Sequence, residues 1–83
     1  MDAAGLSFKG VVTDANVNDT CLCVTSNSCL NTPEDMTNYG GLLVTWYFGH
    51  SAYAFQILIE REFGTNVWIR GKSDWWRTWS KIV

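Results

Sequence analysis

Long apolar runs are missing from this chain. No stretch approaches the ~18 residues that a membrane-crossing helix needs, so that class is excluded. The N-terminus has no basic region followed by an apolar run, so no secretion signal is expected. Charge is scarce at 17%, and the six basic residues are scattered within a net charge of −2. A nucleic-acid partner, which needs a basic footprint for phosphates, is therefore not expected. There is one proline and one histidine, and the three cysteines are an odd number. Four-ligand structural zinc with Cys-x₂₋₄-Cys spacing does not fit Cys21, Cys23, Cys29 and His50, and no cofactor is expected. Three reduced thiols are the simplest reading, with a Cys23–Cys29 bridge across a short loop as the alternative.

Aromatics are plentiful, at 14% with five Trp among 83 residues. One small domain is the reading for 1–83. Such a domain buries only roughly 60 to 65% of its unfolded surface, and part of the aromatic surface is expected to bury against another chain. Met1-Asp2-Ala3-Ala4-Gly5 reads as a start codon ahead of a flexible linker, which suggests a fragment of something longer. Residues 1–13 are expected to be a linker or docking segment, with a short strand within Gly5 to Val12 as the other option.

Residues Asp14 to Asp19 are rich in side chains that compete for backbone hydrogen bonds, which predicts a turn or one short helical turn near Asn16. Thr20 to Thr25 reads as a strand, and Ser26 to Gly41 has loop chemistry. Leu42 to Phe48, Ala52 to Arg61 and Asn66 to Lys72 are dense in β-formers and predict an antiparallel meander. The fold class is thus mostly β: a small antiparallel sheet made of a three-strand meander and an N-terminal strand.

Three-residue loops at both connections assign the faces of that meander. Leu43, Tyr47, Tyr53, Phe55, Ile57, Ile59, Val67 and Ile69 then share a core face. The opposite face carries Leu42, Val44, Trp46, Leu58 and Trp68 together with Gln56, Glu60 and Arg70. Trp46 falls opposite Ala54, and Glu60 lies diagonal to Arg70, within reach of an ion pair. This amphipathic face needs a cover, either the N-terminal segment folding back or a neighbouring subunit. Trp46, Trp68, Leu42, Val44 and Leu58 are the candidate oligomer interface. In the tail, Arg70 or Arg77 stacked on an indole is expected as a clamp.

The second half also carries a familiar order of motifs: Gly40-Gly41-Leu42-Leu43-Val44, Tyr53-Ala54-Phe55-Gln56-Ile57, Ile69-Arg70, then Trp76-Arg77-Thr78-Trp79-Ser80-Lys81-Ile82. It resembles the pyocin-knob-like module near the C-terminus of bacteriophage tail fibres, over Val17 to Ile82. The polar insertion from Ser26 to Tyr39 is similar to that family's variable loop. The resemblance implies a virion or prophage-encoded particle, synthesis in the bacterial cytoplasm without a signal peptide, homotrimeric assembly, and contact with cell-surface polysaccharide or protein.

Sugar binding needs a flat aromatic beside amides and carboxylates, and Trp75, Tyr39, Asn31, Asn38 and Asp74 are of the right types. The competing reading is a structural spacer or trimerisation module with no ligand of its own. An enzyme is not expected. The acids sit mainly in turns or loops, and the sole base near a nucleophile would be His50 at a hairpin tip.

Overall fold

The computed structural model describes residues 7–36, 40–48, 53–60 and 66–82. They form one curled, mixed sheet of seven strands: β1 (Ser7–Asp14), β2 (Cys21–Leu30), β3 (Gly41–Tyr47), β4 (Tyr53–Glu60), β5 (Val67–Ser73), β6 (Trp75–Trp76) and β7 (Ser80–Lys81). The order is β1-β2-β3-β4-β5-β6, with β7 also on β5. The three-strand meander is present as β3, β4 and β5. The described part of the N-terminal segment, from Ser7, is a strand, and it pairs with β2 in parallel.

A parallel neighbour normally requires a crossover of a dozen or more residues. Here residues 15–20 make the return, and six extended residues reach about 20 Å, close to the length of the strand they follow. No helical turn forms there. Asp14 Oδ1 accepts the Asn16 N–H at 2.9 Å, a local side-chain bond that competes with helix, and Ala15 N–H goes to the Leu30 carbonyl at 2.9 Å. Strand β2 also runs further than its polar residues suggest, to Leu30, because Asp14 of β1 pairs with Leu30 beyond an irregular step.

Register decides which side of the meander is inside. Tyr47 pairs with Ala54, Trp46 with Phe55 and Leu43 with Leu58. An even number of residues therefore separates the paired ends of β3 and β4, where a three-residue loop would leave an odd number. That one-residue difference turns β3 over relative to β4. Strands β4 and β5 keep the expected relation, Ile57 facing Ile69. The connections at 49–52 and 61–65, His50 included, lie outside the described residues.

For β3 the inner face is the one expected, with Leu43 inside, whereas for β4 and β5 the core is the face expected to await a cover. Leu43, Leu58 and Trp68 are buried with Ala15, Cys21 and Cys23, and Val12, Val17, Met36 and Trp79 pack against them. Leu58 and Trp68 thus leave the candidate interface. They belong to the interior, whereas Leu42, Val44 and Trp46 project from the other side. Phe55, Tyr53 and Ile69, expected inside, are exposed by 38 to 53%. Trp46 stacks on Phe55 at 4.8 Å in place of lying over Ala54. The cover is the chain itself: the 15–20 return, the 31–36 loop and the tryptophan tail. All three cysteines are free thiols. Cys21 and Cys23 share the inner face with sulfurs 3.3 Å apart, and burial with the neighbouring thiol pushes Cys23 up to about 12, so it stays protonated.

Gly40 explains the start of β3. Its φ is +77°, and a Cβ there would run into the Thr25 carbonyl; the Thr25 hydroxyl accepts the Gly41 N–H at 2.7 Å. Gly10 has a similar φ of +80° but open space around it. Gly10→Ala is expected to cost about 1–2 kcal/mol from backbone conformation alone, and Gly40→Ala clearly more because the clash adds to it. Urea unfolding of both variants checks the order, and equal losses would refute the close approach of β2 to Gly40.

Candidate binding cleft

The inner face is apolar at one end and polar at the other, and the polar end carries a connected network. Gln56 on β4 donates from Nε2 to the Ala15 carbonyl at 2.6 Å and to Thr45 Oγ1 at 3.0 Å. Its Oε1 accepts from Arg70 Nε at 2.7 Å, and Arg70 Nη2 donates to Ala15 O and Asn16 Oδ1 at 3.1 and 2.9 Å. Arg70 therefore binds the return segment in place of pairing diagonally with Glu60. Glu60 is itself buried, with Asn66 donating to its Oε1.

The Arg70 guanidinium is also sandwiched between two indoles, 4.4 Å from the Trp76 ring centre and 4.3 Å from that of Trp79. Lys72 continues the stack, 5.5 Å from Trp76 and 5.8 Å from Tyr47. Aromatic and cation alternate along the order Tyr47, Lys72, Trp76, Arg70, Trp79. Each contact is worth about 0.5–2 kcal/mol. Burial pulls Arg70 down to about 10, which leaves it charged at neutral pH.

The tail reaches this position without a helix. Asp74, with φ of 78°, turns the chain so that Trp76 pairs with Lys72, and β7 returns along β5 with Lys81 opposite Trp68. Residues 77–79 bulge between these pairings, and the bulge puts Trp76 and Trp79 on the same cation. Trp79 Nε1 donates to the Asn31 carbonyl at 2.9 Å, tying the tail to the loop after β2. The stacked orientation leaves Trp76 Nε1 buried with no acceptor among the described residues, a cost of about 1–3 kcal/mol that the stack offsets.

Between the tail and the 31–35 loop lies an open cleft of about 720 Å³. Trp68 and Arg70 of β5, Glu34 and Asp35 of the loop, and Trp75, Arg77 and Lys81 of the tail are among the residues that line it. Trp75 is 62% exposed, with the Arg77 guanidinium 4.9 Å from its ring centre. Of the residues read as ligand contacts, Trp75 and Asn31 line this cleft. Asn31 also has an evident structural role: φ is 64°, and its amide donates to Asp14 Oδ1 at 2.8 Å. Asp74 is the turn residue and does not line the cleft. Tyr39 and Asn38 lie outside the described residues. Sequence reasoning missed Glu34, Asp35 and Lys81 as cleft residues, because their meeting depends on how the loop and the tail fold onto one end of the sheet.

The hydrogen bonds from Asn31 and from the Asn16 N–H hold the Asp14 carboxyl below its ordinary range, and the charge of Arg70 adds to this. A lowered folded pKa stabilises above the unfolded value of about 4, and that contribution disappears as pH falls through the folded value. Denaturant unfolding at successive acid pH is expected to show a shallower loss of stability for Asp14→Asn than for the wild type. Arg70→Lys is expected to destabilise by about 2–4 kcal/mol, because an ammonium reproduces neither the Nε/Nη2 fork nor the planar stack. Thermal unfolding within a few degrees of wild type would refute that role. Neither a family model, nor a curated protein, nor a solved structure matches this chain.

Proposed function

We propose that this chain is a non-catalytic binding module that recognises a bacterial surface glycan, carried on a phage or prophage tail fibre. The observation that carries the glycan reading is the cleft, where an exposed indole meets two carboxylates, two amides and three cations in an open groove. A sugar ring offers an apolar face for Trp75 and hydroxyls for Glu34, Asp35 and the Asn31 side. The cation ladder beneath holds Trp76 and Trp79 in place before a ligand arrives, which lowers the ordering cost of binding.

The fibre, its virion location and its homo-oligomeric, three-fold assembly are supported by the resemblance in motif order alone. The cleft speaks to the chemistry of the ligand and leaves the identity of the carrier to that resemblance. A module with no ligand of its own predicts a cleft that no glycan enters.

A glycan array of bacterial surface polysaccharides, followed by titration of tryptophan fluorescence with any hit, tests the reading. Trp75→Ala is expected to weaken binding about tenfold or more while leaving the unfolding midpoint nearly unchanged, since the side chain is largely exposed. Absence of binding across the array, or equal binding by Trp75→Ala, would count against the cleft. Cleavage of the bound polysaccharide would overturn the non-catalytic assignment.

A further inference from the structure

The outer face of the sheet is more apolar than its interior. Pairing places Leu22 beside Val44, Val44 beside Ile57 and Ile57 beside Ile69, so apolar side chains run unbroken across four strands. Strands β2 to β5 put no charged residue on this side; Glu60, Arg70 and Lys72 all point to the other. Trp46 and Phe48 both stack on Phe55, at 4.8 and 6.0 Å, making an aromatic row at one end. Parallel pairing adds Phe8 and Val11 beside Leu22 and Val24.

The size of this face matters. At about 150–250 Å² per whole aromatic side chain, exposures of 64% for Phe8, 60% for Phe48, 53% for Tyr53 and 38% for Phe55 leave roughly 400 Å² open. Val11 at 65%, Leu42 at 36%, Ile69 at 38% and the half-buried residues between them bring the total to roughly 800 Å². A typical monomer's largest apolar patch is about 300–600 Å², and one partner's share of a stable interface is about 800 Å².

We propose that this face packs on the same face of further copies of this chain. Three features select a copy as the occupant. The area equals what a stable self-interface requires of each partner. The face is uncharged, so its best complement is another uncharged apolar surface, and its own counterpart is one. Rows of β-branched and aromatic side chains on sheet faces interdigitate when such faces pack together. The proposal deepens the homo-oligomer of the reading above by naming the surface, and it needs nothing from the cleft.

Sedimentation velocity of the full chain over a wide concentration range tests it, with Ile57→Lys as the central variant and Trp46→Lys as a second. The wild type is expected to associate, and each lysine to weaken association about 100-fold or more with the far-ultraviolet β signal retained, because it places an unpaired charge in a dry contact. Should neither lysine variant fold, Ile57→Thr, which keeps β propensity, is expected to weaken association by about tenfold, and an unchanged oligomer there would overturn the proposal. A wild type that stays monomeric overturns both the proposal and the homo-oligomer. An oligomer indifferent to Ile57→Lys overturns the proposal alone, and leaves self-association to another surface. A wild-type monomer that binds phosphatidylcholine–phosphatidylglycerol vesicles would show that a lipid surface, and no second copy, covers this face.

Discussion

Burying the charge of Arg70 is the problem around which the inner face is organised. A desolvated guanidinium costs several kcal/mol unless its donors are engaged and its charge is compensated. No described carboxylate pairs with it directly. Its compensation comes from the Ala15 carbonyl, the Gln56 and Asn16 side-chain oxygens and two indole faces, with Asp14 acting at longer range. Those partners belong to the β1–β2 return, to β4 and to the tail. One side chain therefore fastens three segments that are distant in sequence, and Trp79 passes the linkage on to the loop at Asn31.

This arrangement accounts for an unusual distribution of polarity. Antiparallel sheets commonly turn an apolar face inward and a polar face to water. Here the inward face holds Thr25, Thr45, Gln56, Glu60 and Arg70 among its buried residues, while the outward face is almost wholly aliphatic and aromatic. A buried network tolerates this inversion only when its members are satisfied, because an orphaned buried polar group is costly in a low-dielectric setting. Covering the polar end with the chain's own return and tail leaves the apolar side without a cover among the described residues.

The two surfaces accordingly suit different tasks. The cleft is mixed in charge, open and lined by rigid rings, which suits a hydroxyl-rich ligand held by several modest contacts. The outer face is uniform and featureless in charge, which suits burial over a large area with little directional recognition. In the proposed module the first faces a host surface and the second faces other copies, and no residue needs to serve both.

Alternation of β-formers in the last half of the chain was enough, by itself, to determine the β class, the three-strand meander and the pairing of Gln56 with Leu58 and of Trp68 with Arg70 on one face of their respective strands, since pleat parity within one strand is a local property. Composition likewise pointed to an indole–arginine clamp. Which side of the sheet lies inside was a tertiary decision, because it rests on the parity of the connection between β3 and β4 and on what the other face finds as cover. The same holds for the parallel β1, the extended return and the joining of Trp76 with Trp79. Each arises from contacts between segments far apart in sequence, where the free energy of burying and satisfying Arg70 outweighs the local preferences of the residues involved.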